Sequence, residues 1–450
     1  MHFIPNSEIK QAMLAEIGLD DIDELFADVP KEVRYGGLQI EKSKSEMQVR
    51  REMKHMLSKN VTLDEITSFI GGPAMPHFVP AAVRSITSRS EFYTAYTPYQ
   101  PELSQGILQA MFEYQSMIAE LTGMDVANIS MYDGATALGE AALMTARASR
   151  KNEFLVPENI SWEKKSVLGN YVKGAGLKIR EIPFDSKTGL LDLDALKEAL
   201  SPETAGLYIE NPNFFGLIDD RVDEINAIVH SAGKALLVVG VDAVSLGALR
   251  SPGDYGADIV IGEGQLLGNA PNFGGPLVGI FACRDEHVRR MPGRIIGLTK
   301  DASGRRAFCM ALTTREQHIR REKATSNICS NETLCSLASA VYLSLLGRDG
   351  LEKLARLNFE RGEKLKEALS NIEGVELPFS NTPHFNQLVV RYTGKSAEEI
   401  HYALLERGVH GGLLIGGGCC GGCECALYGT TELHTDGDIN KLAVALREAV

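Results

Sequence analysis

From Ala235 to Val241 the chain reads Ala-Leu-Leu-Val-Val-Gly-Val, seven residues without a polar side chain, and then Asp242. A strand with one wet face alternates apolar and polar residues, whereas a strand that never turns polar needs cover on both faces. The rest of the chain offers that cover. Helical spacing at Ser104–Leu121, Thr136–Ser149, Asn159–Gly174, Asp192–Leu200 and Arg221–Ala232 alternates with strand-like runs at Phe154–Val156, Lys178–Pro183, Gly206–Glu210, Ile259–Ile261 and Leu277–Ala282. Strands separated by helices are joined by crossovers. The expected class is therefore α/β, a mostly parallel central sheet with helices on both faces.

Three regions follow from this pattern. Residues 1–60 read as a charged helical extension, with helices at Ser7–Gly18, Asp20–Phe26 and Gln48–Lys59. Residues 61–347 carry the α/β alternation and form the large domain. A break at Gly347–Leu351 leads into residues 348–450, a small C-terminal α+β domain. It has helices at Leu351–Leu369, Ser396–Arg407 and Asp436–Val450, and strands at Gln387–Tyr392 and Ala426–Thr431.

Charge narrows the partners. With 46 basic and 59 acidic residues among 450, the net charge is −13, which argues against nucleic acid or an anionic membrane surface. The first residues lack the basic and apolar regions of a signal peptide, and no window nears 18 apolar residues. A cytoplasmic setting is expected, in which the eight cysteines would be thiols.

The chemistry begins at strand ends. Asp242 closes one buried run, and the next, Asp258 to Ile261, leads through a Gly-rich turn to Gln265. A strand ending in Asp beside a strand leading to a special residue is the pattern of a pyridoxal-phosphate fold. There the Asp would pair with the ring nitrogen and a lysine would form the Schiff base. Gln265 stands at the lysine's place, and an amide cannot form an imine. Ahead of the Thr136 helix, Ser130 or Asp133 can cap, and Gly134, Ala135 and Thr136 would offer N–H groups to a phosphate. An ordinary capped helix start reads the same way.

Two further clusters are open to more than one reading. Ser88 to Glu102 is rich in Tyr, Thr and Pro, and Pro98 and Pro101 argue for a rigid loop. It suits a binding site or subunit interface, or plain surface packing. Cys419, Cys420, Cys423 and Cys425 crowd into seven residues. One short Gly-rich loop wraps a tetrahedral ion poorly, so an incidental Cys-rich loop is favoured over a metal or redox site.

Longer stretches are more specific. Phe3-Ile-Pro5, Ile22–Phe26, Ser88–Gly106, Tyr114–Ala142, Gly262-Glu-Gly-Gln265, Arg294-Ile-Ile-Gly297 and Arg321–Asn331 together resemble the P-protein family of the glycine cleavage system, over nearly the whole chain. The likeness is to the subunit 1 (glycine dehydrogenase, decarboxylating) type of its two-subunit form. It implies a pyridoxal-phosphate-dependent transferase type I fold. It also implies that the lysine and the pyridoxal phosphate belong to a homologous subunit 2, two of each subunit assembling. The joint reaction would decarboxylate glycine and pass the aminomethyl group to the lipoyl arm of an H-protein, within a system that includes T- and L-proteins. On this resemblance the chain has no catalytic residue of its own. Gly134, Ala135, Thr136, Asp242 and Gln265 form a vestigial pocket, and Ser90, Tyr93, Tyr96, Tyr99 and Gln100 are candidates to reach the partner's site. The chain departs from the family at Gly72–Phe78 and at Gly417–Cys423. The alternative is a stand-alone binding or regulatory protein that kept the fold and lost the chemistry.

Overall fold

The computed structural model describes residues 7–37, 39–95, 98–328, 331–416 and 424–450. It forms two compact units, Met1–Val61 and Thr62–Val450.

In the first unit, 3-10 segments at Ser7–Ile9, Ile22–Phe26 and Lys31–Val33 accompany helices α1 (Lys10–Glu16) and α2 (Glu46–Leu57). The helix expected at Asp20–Phe26 is 3-10, capped reciprocally by Asp21 and Glu24. α2 starts earlier than the charge pattern suggests because Ser45 and Gln48 form a capping box.

The second unit opens with β1 (Thr67–Ser68). Helices α3 (Ala81–Thr87), α4 (Ser90–Tyr93) and α5 (Gln105–Thr122) follow. α4 corrects the loop reading in part: one helical turn sits upstream of the prolines, which restrict only their own positions and the residue before each.

Seven strands then build the central sheet. They are β2 (Val126–Ala127), β3 (Glu153–Pro157), β4 (Lys178–Ile182), β5 (Thr204–Glu210), β6 (Leu236–Asp242), β7 (Ile259–Glu263) and β8 (Gly279–Cys283). Their order is β2-β8-β7-β6-β5-β3-β4. β7, β6, β5, β3 and β4 are mutually parallel; β8 runs against them, and β2, antiparallel to β8, runs with them again. The crossovers are α6 (Gly134–Ser149), α7 (Trp162–Lys173), α8 (Leu193–Ala199) and α9 (Val222–Ser231).

The seamless apolar run behaves as its composition demands. Leu237 and Val239 enter a core with Tyr114 of α5, Leu196 of α8 and Ile225 of α9, while Leu236 and Val238 enter another with Leu138 of α6 and Leu168 of α7. Burying each such side chain contributes roughly 1.5–3 kcal/mol. The outer strand β4 carries Lys178, Arg180 and Glu181, as an unpaired edge requires.

Beyond the sheet, β9 (Ile295–Lys300) and β10 (Arg306–Ala311) form an antiparallel hairpin packed on α5, and α10 (Gln317–Arg320) follows. α11 (Thr333–Ser370) is two helical arms meeting at Gly347, whose φ of 59° and ψ of −173° break the helix where the sequence breaks. Its first arm packs under the large sheet and its second reaches the C-terminal core through Leu365 and Leu369.

That core is covered by a four-stranded antiparallel sheet, β11 (Val375–Glu376), β12 (Gln387–Tyr392), β14 (Leu413–Ile415) and β15 (Cys425–Gly429), in the order β11-β12-β15-β14. Helices α12 (Ala397–Glu406) and α13 (Asp436–Ala449) cover its inner face. β13 (Val409–His410) pairs with β1 rather than with this sheet, so Phe69 is buried among C-terminal residues. Among the described residues no helix is long and apolar enough to cross a membrane.

Candidate functional site

Ligands of parallel α/β sheets bind beyond the carboxyl ends of the strands. Three neighbouring strands here end on acids: Glu210 on β5, Asp242 on β6 and Glu263 on β7. A cavity of ≈ 60 Å³ lies at these ends, lined by Gly134, Lys164, Tyr208, Glu210, Asp242 and Glu263 among others.

Each acid is satisfied differently. Glu210 is ion-paired with Lys164 of α7 and accepts the Tyr208 hydroxyl at 2.8 Å. Burial pulls the Lys164 ammonium down, but Glu210 outweighs it and holds the group above its ordinary value. Asp242 accepts the backbone N–H of Val244 at 2.8 Å and of Ser245 at 3.0 Å, closing the turn after its own strand. Burial pushes its carboxyl up, against the pull of those bonds.

Glu263 bridges three segments. One oxygen accepts the N–H of Gly134 at 3.0 Å; the other accepts Gln265 N–H at 2.9 Å and Val278 N–H at 3.2 Å. Burial lifts its carboxyl to about 7 although all three N–H groups pull the other way. Gly134 is the first residue of α6, so this carboxylate stands at the positive end of that helix. Two residues on, Thr136 N–H is held by Asp133 at 2.7 Å, with Asp133 N–H returned to the Thr136 hydroxyl at 3.1 Å. Asp133 is the cap; Ser130 instead accepts Glu332 N–H at 3.0 Å. The helix end fits tightly, because a Cβ on Gly134 would meet Glu263 N at 3.2 Å and Gly262 carbonyl carbon at 3.3 Å.

Gln265 is fully buried. Its amide oxygen accepts Met75 N–H at 3.1 Å, and its Nε2 donates to the Asn269 carbonyl. Asn269 in turn reaches Ser339 of α11 at 3.1 Å. The side chain thus works as a cross-link between the 72–78 segment, the turn after β7 and the long helix.

The pocket can be tested against pyridoxal phosphate, which needs free N–H groups for its phosphate, a carboxylate for its ring nitrogen, an amine and room. Here the Gly134 and Thr136 N–H groups hold carboxylates, one oxygen of Asp242 is held by its own backbone, position 265 is an engaged amide, and 60 Å³ holds roughly four to six waters. The residues present do not fit the cofactor.

Of the residues singled out from sequence, Gly134 and Asp242 line the cavity, while Ala135 and Gln265 are buried and Thr136 is half-buried. The described residues of the Tyr-rich segment do not line it. Tyr93 and Tyr99 are exposed, at 71% and 51%. Tyr99 is nonetheless anchored: buried Arg294 donates to its hydroxyl at 3.0 Å and lies 5.3 Å over its ring. Ser90 starts α4, Gln100 is exposed, and Tyr96 lies outside the described residues. Cys419, Cys420 and Cys423 also lie outside them, whereas Cys425 is buried on β15. No group of three metal-ligating side chains occurs among the described residues. Lys164, Tyr208, Glu210 and Glu263 were not foreseen. The available signal was that three apolar runs in succession each end on an acid.

Comparison with known proteins extends over the whole chain. Residues 1–415 match the model of the glycine cleavage system P-protein. Proteins named probable glycine dehydrogenase (decarboxylating) subunit 1 are 50% identical in Thermococcus onnurineus, over 99% of both chains, and 46% identical in Desulfitobacterium hafniense, over 100% of both. A crystal structure of glycine decarboxylase (P-protein) of the glycine cleavage system, in inhibitor-bound form, superposes with a TM-score of 0.92 at 38% identity, covering both chains fully. A sphingosine-1-phosphate lyase of Burkholderia pseudomallei shares the fold at 16% identity, with a TM-score of 0.67 over 94% of each chain. The fold is the type I fold of pyridoxal-phosphate-dependent enzymes, as expected from the sequence.

Proposed function

We propose a function from one premise: the chain belongs to the glycine cleavage system P-protein family. It serves as the subunit-1 half of a two-subunit, cytoplasmic glycine dehydrogenase (decarboxylating). A homologous subunit 2 supplies the Schiff-base lysine and holds the pyridoxal phosphate, with two copies of each subunit. When bound there, the cofactor provides the electron sink for loss of CO2 from glycine. The complex then hands the aminomethyl group to the lipoyl arm of an H-protein, and the T- and L-proteins complete the system.

The observation that carries this reading is the self-satisfied pocket. Glu263 and Asp133 hold the Gly134 and Thr136 N–H groups, and Gln265, which this reading sets at the lysine's place, is a buried cross-link. A chain built this way contributes surface and not its own cofactor site. Its Tyr-rich segment suits that surface role, since Arg294 fixes Tyr99 while leaving much of the ring outside, and a prefixed side chain loses little entropy on binding.

The test is reconstitution. The chain purified alone with pyridoxal phosphate is expected to show neither glycine turnover nor bound-cofactor absorbance, and both should appear on co-expression with a lysine-bearing homologue. Glycine turnover by this chain alone would sink the proposal.

A further inference from the structure

Glu263 has no obvious reason to be an acid. It is buried, and burial penalises an ionised carboxyl heavily unless it is paired. Yet among the described residues its oxygens meet only backbone donors, those of Gly134, Gln265 and Val278, and no cation within ion-pair distance. An apolar side chain would avoid the charge but would leave three buried N–H groups unpaired, each costing about 1–3 kcal/mol.

Those donors converge from three directions. Gly134 opens a 16-residue helix capped by a full capping box. Gln265 and Val278 flank the turn between β7 and β8. Converging N–H groups at a helix N-terminus are how proteins hold phosphates. The Lys164 ammonium lines the same cavity and is raised in part by Glu263 itself. The arrangement is thus an anion cradle with an anion in it, and the anion is the protein's own.

We propose that Glu263 is an internal plug: its carboxylate occupies a latent oxyanion site formed by the N–H groups of Gly134, Gln265 and Val278, and keeps this pocket closed to phosphate-bearing ligands. The idea rests on the reading that this chain holds no cofactor, and supplies its mechanism. Closure would then depend on the carboxylate rather than on the missing lysine. Removing it frees the donors and merges its volume with the ≈ 60 Å³ beside it.

The experiment uses the full chain with Gln265 unchanged. Wild type, Glu263→Ala and Glu263→Gln are titrated with inorganic phosphate at pH 8, constant ionic strength, followed by phosphorus NMR line width and by thermal shift. Glu263→Ala is expected to bind at least about tenfold tighter than wild type, and Glu263→Gln to gain about threefold. A folded Glu263→Ala that responds as weakly as wild type would overturn the plug, as would wild type binding phosphate equally well. If Glu263→Ala loses its circular dichroism signal, the isosteric Glu263→Gln decides alone, and no gain counts against the proposal. Failure here leaves the reconstitution result untouched, because that reading fails only if the unaltered chain shows bound-cofactor absorbance or glycine turnover.

Discussion

Two glutamates with little access to solvent are driven in opposite directions in this molecule. At the end of β7, Glu263 is lifted to about 7; just past β15, Glu432 is held down at about 2. Glu263 is buried and Glu432 partly so, and burial alone raises both. Both also accept backbone N–H: Glu263 three, Glu432 that of Phe78 at 2.6 Å. The difference is a side chain that can carry charge. Glu432 lies 2.8 Å from His77 Nδ1 and accepts Asn358 Nδ2 at 3.1 Å. Peptide dipoles hold a buried carboxylate in place, but a side-chain partner at ion-pair distance decides how strongly its ionised form is favoured. The seam joining the 72–78 segment to the C-terminal part has such a partner, while the closed pocket relies on dipoles.

A third acid shows how to break this contrast. Glu210 resembles Glu432, because Lys164 pairs with it inside the pocket. Lys164→Met would strand that carboxylate with only the Tyr208 hydroxyl. A loss of about 3–5 kcal/mol in urea unfolding is expected, the cost of breaking a buried pair from one side. The double variant Lys164→Met/Glu210→Gln should recover most of it. A single variant as stable as wild type would mean that cations do not govern these acids.

The next effect separates the two glutamates by pH. Glu263 has a folded pKa of about 7, above its ordinary 4.5, so the folded state binds the proton more tightly. The protein should therefore gain stability as pH falls from about 7 towards 4.5, by on the order of 3 kcal/mol for this group. Glu263→Gln, which cannot titrate, should flatten that part of the profile. Glu432 works the other way. Its contribution is complete above its unfolded value and lost as pH falls through about 2. Because its side chain keeps some exposure, about 2 kcal/mol is a fair expectation. Comparing wild type with Glu432→Gln in acid unfolding would show it. Slopes of the same sign for the two variants would refute the contrast.

How much of this could be seen in the chain itself depends on where each partner lies. The central sheet was legible because β6 and β7 are apolar up to their final acids, and a local run reports its own cover. Asp242 was legible for the same reason, as the polar end of such a run. Glu263 was not. Its partners stand 129 residues away at Gly134 and 15 away at Val278, and nothing local marks an acid that backbone groups will claim. Gln265 could be noticed as an amide in an unusual place, but not as a cross-link to Met75, 190 residues off. The β9–β10 hairpin escaped because its first strand changes character midway: Ile295 and Ile296 are inside, whereas Leu298 to Lys300 face out. Two- and three-residue strands such as β1, β13 and β14 exist through pairing and carry no periodicity.

The smallest stability effects belong to the outward-facing segment, and there they are informative. Tyr99→Phe removes one hydrogen bond from buried Arg294, whose guanidinium also lies 3.7 Å from Glu316. About 1 kcal/mol should be lost from the isolated chain. Tyr93→Ala removes a ring that is mostly in solvent, and should change that stability by less than about 0.5 kcal/mol. If the segment faces a second subunit, the order inverts in the complex. Tyr93→Ala should weaken association by about tenfold or more in a subunit titration, as truncation of a buried interface aromatic does. Tyr99→Phe keeps its ring and should cost less. Association unchanged by Tyr93→Ala would place the partner elsewhere on the surface, and would leave Arg294 as an anchor for local structure alone.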